Sequence, residues 1–205
     1  MARLLTEALG TFFLVLSICL ATASGNALAP LAIGGTLMGM VYMGAHVSGA
    51  QYNPAVSLAL AIGGALTPAE MLRYWAAQLA GGAAAAFTAL AITGTPVPIH
   101  PGAGVTPVTA VLVEALGTFA LVLVVLNVAT AKANEGKEFY GLAIGMTVIG
   151  AAWTMGGISG GAFNPAVGTA LSTAGGDGFS DAWIYWVGPL AGAALAAMAY
   201  RVQQG

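Results

Sequence analysis

Two stretches decide the fold: HVSGAQYNPAV at residues 46–56 and GISGGAFNPAV at residues 157–167. Asparagine is a preferred N-cap and proline is preferred at the first helical position, so each Asn-Pro-Ala box predicts a helix start. Each apolar run after a box soon reaches a glycine pair. About ten helical residues span about 15 Å, roughly half of a bilayer's hydrocarbon core, so both helices are predicted to be re-entrant half-helices. Lipid cannot satisfy the open N–H groups of their N-termini, which should therefore face each other or a passing solute.

The composition indicates a membrane protein. Of the 205 residues, 59% are hydrophobic and 6% charged, whereas soluble domains average about 25% charged residues. The net charge of −2 gives no reason to expect a nucleic-acid partner. We therefore predict an all-α membrane protein with six transmembrane helices besides the two half-helices. The six predicted spans are Leu4–Ala23, Ala29–Ala45, Met71–Thr93, Val108–Thr130, Tyr140–Met155 and Ala182–Val202.

The sequence repeats itself once. TEALGTF at residues 6–12 recurs as VEALGTF at residues 113–119. Each half holds three spans, an odd number, so the second copy must be inserted upside down, which is a 3+3 inverted repeat. We expect a single channel domain over residues 1–205, with repeats at about residues 1–104 and 105–205.

Charged and aromatic residues predict the orientation. Six alternating spans place all five cationic residues on one side of the membrane, so both termini are expected to be cytoplasmic. These residues are Arg3, Arg73, Lys132, Lys137 and Arg201. Aromatic residues near the span ends, Tyr74 and Tyr185 among them, are interpreted as interfacial anchors. We expect an integral protein of the plasma (inner) membrane.

The paired boxes, the repeated Glu-Ala-Leu-Gly-Thr-Phe motif and the run from His46 to Asn53 resemble the aquaporin (major intrinsic protein) family over nearly the whole chain. The resemblance implies a passive channel in the lipid bilayer, a homotetramer with one pore per subunit, no cofactor and no enzymatic activity. Both asparagine amides would then face the solute near the pore centre; the alternative is that they only cap their helices. The implied pore residues of the boxes are Asn53, Pro54, Ala55, Asn164, Pro165 and Ala166.

The chain departs from this family at the outer constriction. Most members carry arginine three positions after the second box asparagine, where this chain has Val167. Spacing from the boxes places the other three constriction positions at Ile33, Ala152 and Gly161. These residues predict a wide, apolar opening for water and small neutral solutes such as glycerol, urea, ammonia or metalloid hydroxyacids. In the alternative, Trp153 or Phe163 narrows it.

Ionisable side chains in the spans suggest further roles. Glu7 and Glu114 are expected to accept hydrogen bonds from the loops before the half-helices, with a proton relay as the alternative. His46 is expected to support its loop by a hydrogen bond, with pH gating as the alternative. A secondary transporter would share the inverted repeat, but the spans lack other charged residues for ion coupling. An enzyme would need a nucleophile with a base, or a metal cluster, and the sequence offers neither.

Overall fold

The computed structural model describes residues 1–176 and 178–205, and in these ranges the chain is all-helical, which confirms the predicted fold class. Six long helices and two short ones follow one another through short loops. A 3-10 turn, Lys132–Asn134, lies between α5 and α6. The bounds are α1 Ala2–Ala23, α2 Ala29–Ser48, α3 Pro54–Ile62, α4 Pro68–Thr93, α5 Pro107–Ala129, α6 Tyr140–Ser159, α7 Pro165–Ala174 and α8 Ile184–Gln204.

The helices before the two boxes are longer than predicted. α2 continues to Ser48 and α6 to Ser159, three and four residues beyond the expected ends at Ala45 and Met155. Each then stops at a glycine in the left-handed region, with φ of 85° and 98°. A C-terminal glycine of this kind ends a helix without steric penalty. The apolar pattern fades before this cap, which explains the early predicted ends.

The protein is an integral membrane protein. Within the described ranges, five helices are long and apolar enough to cross a bilayer: α1, α2, α4, α5 and α6. α8 has 21 residues, which suffices for about 30 Å, but its last turn carries Arg201 and two glutamines. The short helices α3 and α7, with nine and ten residues, reach about half that distance.

The packing brings the two half-helices together in the centre of the bundle. α1 packs on α2 and α4, and α5 packs in the same way on α6 and α8. Each half-helix crosses into the other half, so α3 contacts α8 while α7 contacts α4. Gly81 against the backbone of Ala8, and Gly192 against the backbone of Ala115, leave no room for a Cβ atom. Such small residues let membrane helices approach closely.

Candidate solute pathway between the half-helices

The two box asparagines cap their half-helices and also bond to each other's loops. The Oδ1 atoms of Asn53 and Asn164 each accept the backbone N–H two residues later, at 2.9 Å. The Nδ2 atom of Asn53 donates to the carbonyl of Phe163 at 2.9 Å, and that of Asn164 donates to the carbonyl of Tyr52 at 2.9 Å. The two half-helices therefore meet N-terminus to N-terminus. Sequence reasoning anticipated this meeting but not the reciprocal bonds.

The carbonyls that accept these bonds belong to residues in an unusual backbone conformation. Tyr52 has φ of 51° and Phe163 has φ of 48°, a region that bulky residues rarely adopt. The packing holds them there, because the Tyr52 ring lies against Gly10 and the Phe163 ring lies against Gly117. The Tyr52 hydroxyl also donates to a carbonyl of α2 at 2.9 Å. These contacts turn each carbonyl toward the opposite asparagine.

Glu7 lies beneath the first loop and is fully buried. Its Oε1 accepts hydrogen bonds from the Ser48 hydroxyl at 2.6 Å and from the backbone N–H of Gln51 at 3.0 Å. Its Oε2 accepts the backbone N–H of Tyr52 at 2.7 Å and the Gln78 amide at 2.9 Å. Four donors thus converge on one carboxylate.

Glu114 has the same place in the second half and is also fully buried. Its Oε1 accepts from the Ser159 hydroxyl at 2.7 Å and from the backbone N–H of Ala162 at 3.0 Å. Its Oε2 accepts the backbone N–H of Phe163 at 2.6 Å. Both glutamates therefore bind N–H groups that no helix or strand satisfies, as a loop-supporting role requires.

Two tyrosines that the sequence suggested as interfacial anchors are instead buried beside these loops. Tyr74 is 3% exposed and Tyr185 is 0% exposed. Their hydroxyls donate to the carbonyls of Ser48 at 3.0 Å and Ser159 at 2.8 Å. Each tyrosine follows its partner by 26 residues. That equal spacing in the two halves is the signal by which the sequence could have revealed them.

A cavity of about 210 Å³ lies where the half-helices meet. Its lining includes both box asparagines and the four residues predicted for the constriction: Ile33, Ala152, Gly161 and Val167. Apolar side chains of α1, α2, α5 and α6 form most of the remaining wall. Trp153 is 54% exposed, and its Nε1 donates to the carbonyl of Ala27 at 3.3 Å. It points away from the cavity and does not narrow it, while Phe163 does belong to the lining.

A second cavity of about 820 Å³ lies at the end of the bundle that carries the cationic residues. His46, Lys132 and Lys137 are part of its wall. The His46 side chain is exposed and has no hydrogen-bond partner within residues 1–176 and 178–205. The predicted loop-supporting bond of His46 is therefore not present. His46 lies on α2, which runs on through Ser48, and its side chain is exposed at the wall of the larger cavity.

The described residues contain no cluster of three or more His, Cys, Asp or Glu side chains that could hold a metal ion. Cys19 is buried in the apolar core. The polar side chains that line the cavity of about 210 Å³ carry amide and hydroxyl groups, and none of its lining residues is charged.

The sequence is similar to those of known membrane proteins. The family model for the major intrinsic protein matches residues 1–200. Aquaporin TIP2-1 of Arabidopsis thaliana is 42% identical over 163 residues, which cover 78% of this chain and 65% of that protein. Aquaporin TIP2-3 of Zea mays is 38% identical over 162 residues, with the same coverage. The chain thus spans about 65% of the length of these curated relatives.

Solved structures share the fold. The aquaglyceroporin from Plasmodium falciparum superposes with a TM-score of 0.86 at 23% identity, covering 97% of this chain and 94% of that one. An FNT family ion channel superposes with a TM-score of 0.63 at 16% identity, covering 98% and 89%. At these identities the likeness concerns the fold alone.

Proposed function

The chain belongs to the major intrinsic protein family, and from this premise we propose that it is a passive membrane channel for water and small neutral solutes. One observation carries the proposal. A cavity lined by Asn53 and Asn164 lies where two half-helix N-termini meet inside a membrane protein. Relatives named aquaporins and a structural neighbour named an aquaglyceroporin support it. No bond is broken in such a passage, so we propose no enzymatic activity and no cofactor.

The half-helices supply selection against cations. A helix N-terminus carries about half a positive charge, and two of them point at the same place in the cavity. Each asparagine amide has two N–H donors, of which one is used in the bond to the opposite loop. We propose that the other N–H of Asn53 and of Asn164 donates to the passing solute. A neutral solute with an oxygen acceptor gains from this arrangement, while a cation is repelled.

The constriction supplies selection by size. We propose that Ile33, Ala152, Gly161 and Val167 form a wide, apolar opening, since Ala152 and Gly161 have little side-chain volume. Without the arginine usual in the family, the solute finds no fixed cation there. Compact neutral molecules larger than water, such as glycerol, urea, ammonia or a metalloid hydroxyacid, suit such an opening.

We propose a structural role for the two buried glutamates. Every described partner of Glu7 and Glu114 donates a hydrogen bond. A carboxylate whose oxygens all accept hydrogen bonds from the protein holds its loop in place, and its described partners favour the ionised form over proton exchange with the pathway. This favours loop support over a proton relay.

The assembly and the orientation are proposed on sequence grounds. We propose a homotetramer, following the family, with lipid or neighbouring subunits against the exposed apolar residues of α1 and α5 such as Leu5, Leu9, Leu112 and Leu116. All five cationic residues lie on one side of the predicted topology, so we place both termini in the cytoplasm. The plasma (inner) membrane remains our expectation for the location.

Stopped-flow light scattering of proteoliposomes tests the proposed function with water, glycerol and urea. We expect downhill permeation of all three above empty liposomes. In Val167→Arg, glycerol and urea permeability should fall more than water permeability, because a long cationic side chain fills the opening. Val167→Met is the matched control, since it adds length without charge. Uphill accumulation driven by an ion gradient would establish a secondary transporter instead, and unchanged solute permeability in Val167→Arg would refute the proposed constriction.

A further inference from the structure

Gln51 lies at the junction of the two cavities. Its side chain lines both the cavity of about 210 Å³ between the half-helices and the cavity of about 820 Å³ at the cationic end. The residue is 7% exposed, and its Oε1 is buried without a hydrogen-bond partner in the described part of the chain. A buried amide without a partner is destabilising. An amide without a protein partner at this junction is explained if a solute that moves between the two cavities supplies the hydrogen bond.

Hydrogen bonds hold the backbone around Gln51, whereas the Oε1 of its side chain has no partner among the described residues. The N–H groups of Gln51 and Tyr52 donate to Glu7 at 3.0 Å and 2.7 Å. The flanking residues Ala50 and Tyr52 both have positive φ, 47° and 51°. The two positive φ angles and the two hydrogen bonds to the buried Glu7 carboxylate therefore fix the position of the Gln51 Cα atom, from which the side chain extends. Because neither end of its amide has a hydrogen-bond partner in residues 1–176 and 178–205, the amide can turn either its donor or its acceptor to a solute.

The second half of the chain has no counterpart of this amide. At the equivalent position, two residues before the box asparagine, stands Ala162. The outer opening is lined by apolar residues and a glycine. The amide side chains that line the smaller cavity are those of Asn53 and Asn164 at its centre and of Gln51 on the cationic side.

We propose that Gln51 is a second selectivity-determining residue, which hydrogen-bonds neutral solutes larger than water as they pass between the two cavities. This inference rests on the proposed channel function and deepens it. Water keeps neighbouring water molecules as partners in a narrow passage, whereas glycerol or urea gives up several hydration bonds at once and depends more on the wall. An amide offers both a donor and an acceptor, which matches the hydroxyl and amide groups of these solutes. Gln51 therefore sets the ratio of solute to water permeability.

Gln51→Met tests the proposal, because methionine has a similar length and volume and no strong hydrogen-bonding group. Glycerol and urea permeability, each divided by the water permeability of the same preparation, should fall about three- to tenfold, the factor expected for one net hydrogen bond. Gln51→Asn, which retains an amide, should keep the ratio closer to that of wild type. Gln204→Met is the matched control: it is the same substitution at an exposed residue that lines neither cavity, and it should change the ratio less than twofold.

The ratio does not depend on how much protein inserts, so reduced expression does not obscure the result. If Gln51→Met fails to insert, Gln51→Leu is measured in the same way. A ratio within twofold of wild type in the apolar variant, or an equal fall in Gln204→Met, would overturn the role of Gln51. Wild-type vesicles no more permeable than empty liposomes to water, glycerol and urea would instead refute the proposed function itself, and the role of Gln51 with it.

Discussion

Replacing Glu114 by glutamine should destabilise the protein measurably. The Ser159 hydroxyl and the N–H groups of Ala162 and Phe163 all donate to the carboxylate. Glutamine puts an NH2 group in the place of one oxygen. Whichever oxygen is replaced, at least one donor then faces another donor inside the bundle. The loop before α7 loses the partner that holds it.

The structure indicates the size of this effect. If the amide nitrogen takes the place of Oε2, the 2.6 Å bond from the N–H of Phe163 is lost. A hydrogen bond to a charged group contributes about 1.5–3 kcal/mol, and the bonds that remain lose their charge assistance. We therefore expect a loss of about 3 kcal/mol in the free energy of unfolding. For a chain of this size that corresponds to a fall in Tm of about 6–12 °C.

Glu7→Gln should have a smaller effect, for a reason specific to the first half. The Gln78 amide donates to Glu7 at 2.9 Å, and its own Oε1 is buried without a described partner. By turning over, this amide can accept a hydrogen bond from the new glutamine, and the Ser57 hydroxyl, which accepts from the Gln78 amide at 3.0 Å, can donate to it instead. Among its described partners, Glu114 has no side-chain amide that could respond in this way. We expect about half the fall in Tm of Glu114→Gln.

Thermal unfolding in detergent, followed by tryptophan fluorescence, measures these changes. The matched control is Glu138→Gln, the same substitution at an exposed carboxylate between α5 and α6 with no hydrogen bond among the described residues, which should shift Tm by less than about 2 °C. If Glu114→Gln unfolds within 2 °C of wild type, the buried carboxylates do not stabilise the loops. An equal fall for Glu7→Gln and Glu114→Gln would refute the part assigned to Gln78.

Two further substitutions test the packing and the helix starts. Gly117→Ala places a Cβ atom too close to the ring carbons of Phe163, so it should lower the free energy of unfolding by about 1–3 kcal/mol, and an unchanged Tm would mean that the ring moves freely. Thr67→Ala removes the side-chain oxygen that accepts the N–H of Glu70 at 3.2 Å in a capping box; the expected loss is about 1 kcal/mol, seen as a fall in Tm of about 2–4 °C. Thr67→Ser keeps the side-chain oxygen of the cap, so its Tm should equal that of wild type.

Local signals in the sequence foretold the half-helices, because a cap and a helix start depend on adjacent residues. Asn53 and Pro54 begin α3 through their own chemistry, and Asn164 and Pro165 do the same for α7. The positions predicted for the constriction also share one cavity, since their distances from the boxes translate into helical turns.

What the sequence did not reveal depends on the tertiary structure. The positive φ of Tyr52 and Phe163 is imposed by packing against distant glycines, and no local propensity favours it. Tyr74 and Tyr185 have the composition of interfacial anchors, and only the position of the loops makes them buried donors. His46 was misplaced because the end of α2 is set by a backbone glycine and not by the apolar pattern.

The reciprocal bonds of the box asparagines have a consequence for biogenesis. The Asn53 amide finds its acceptor at Phe163, 110 residues further along the chain. At about 5–20 residues per second, a ribosome needs roughly 5–20 s to supply it. During that interval the side-chain N–H of Asn53 lacks this acceptor. The tips of the two half-helices can therefore join only after the loop before α7 has been synthesised, and a nascent chain stalled between the halves leaves α3 without this contact.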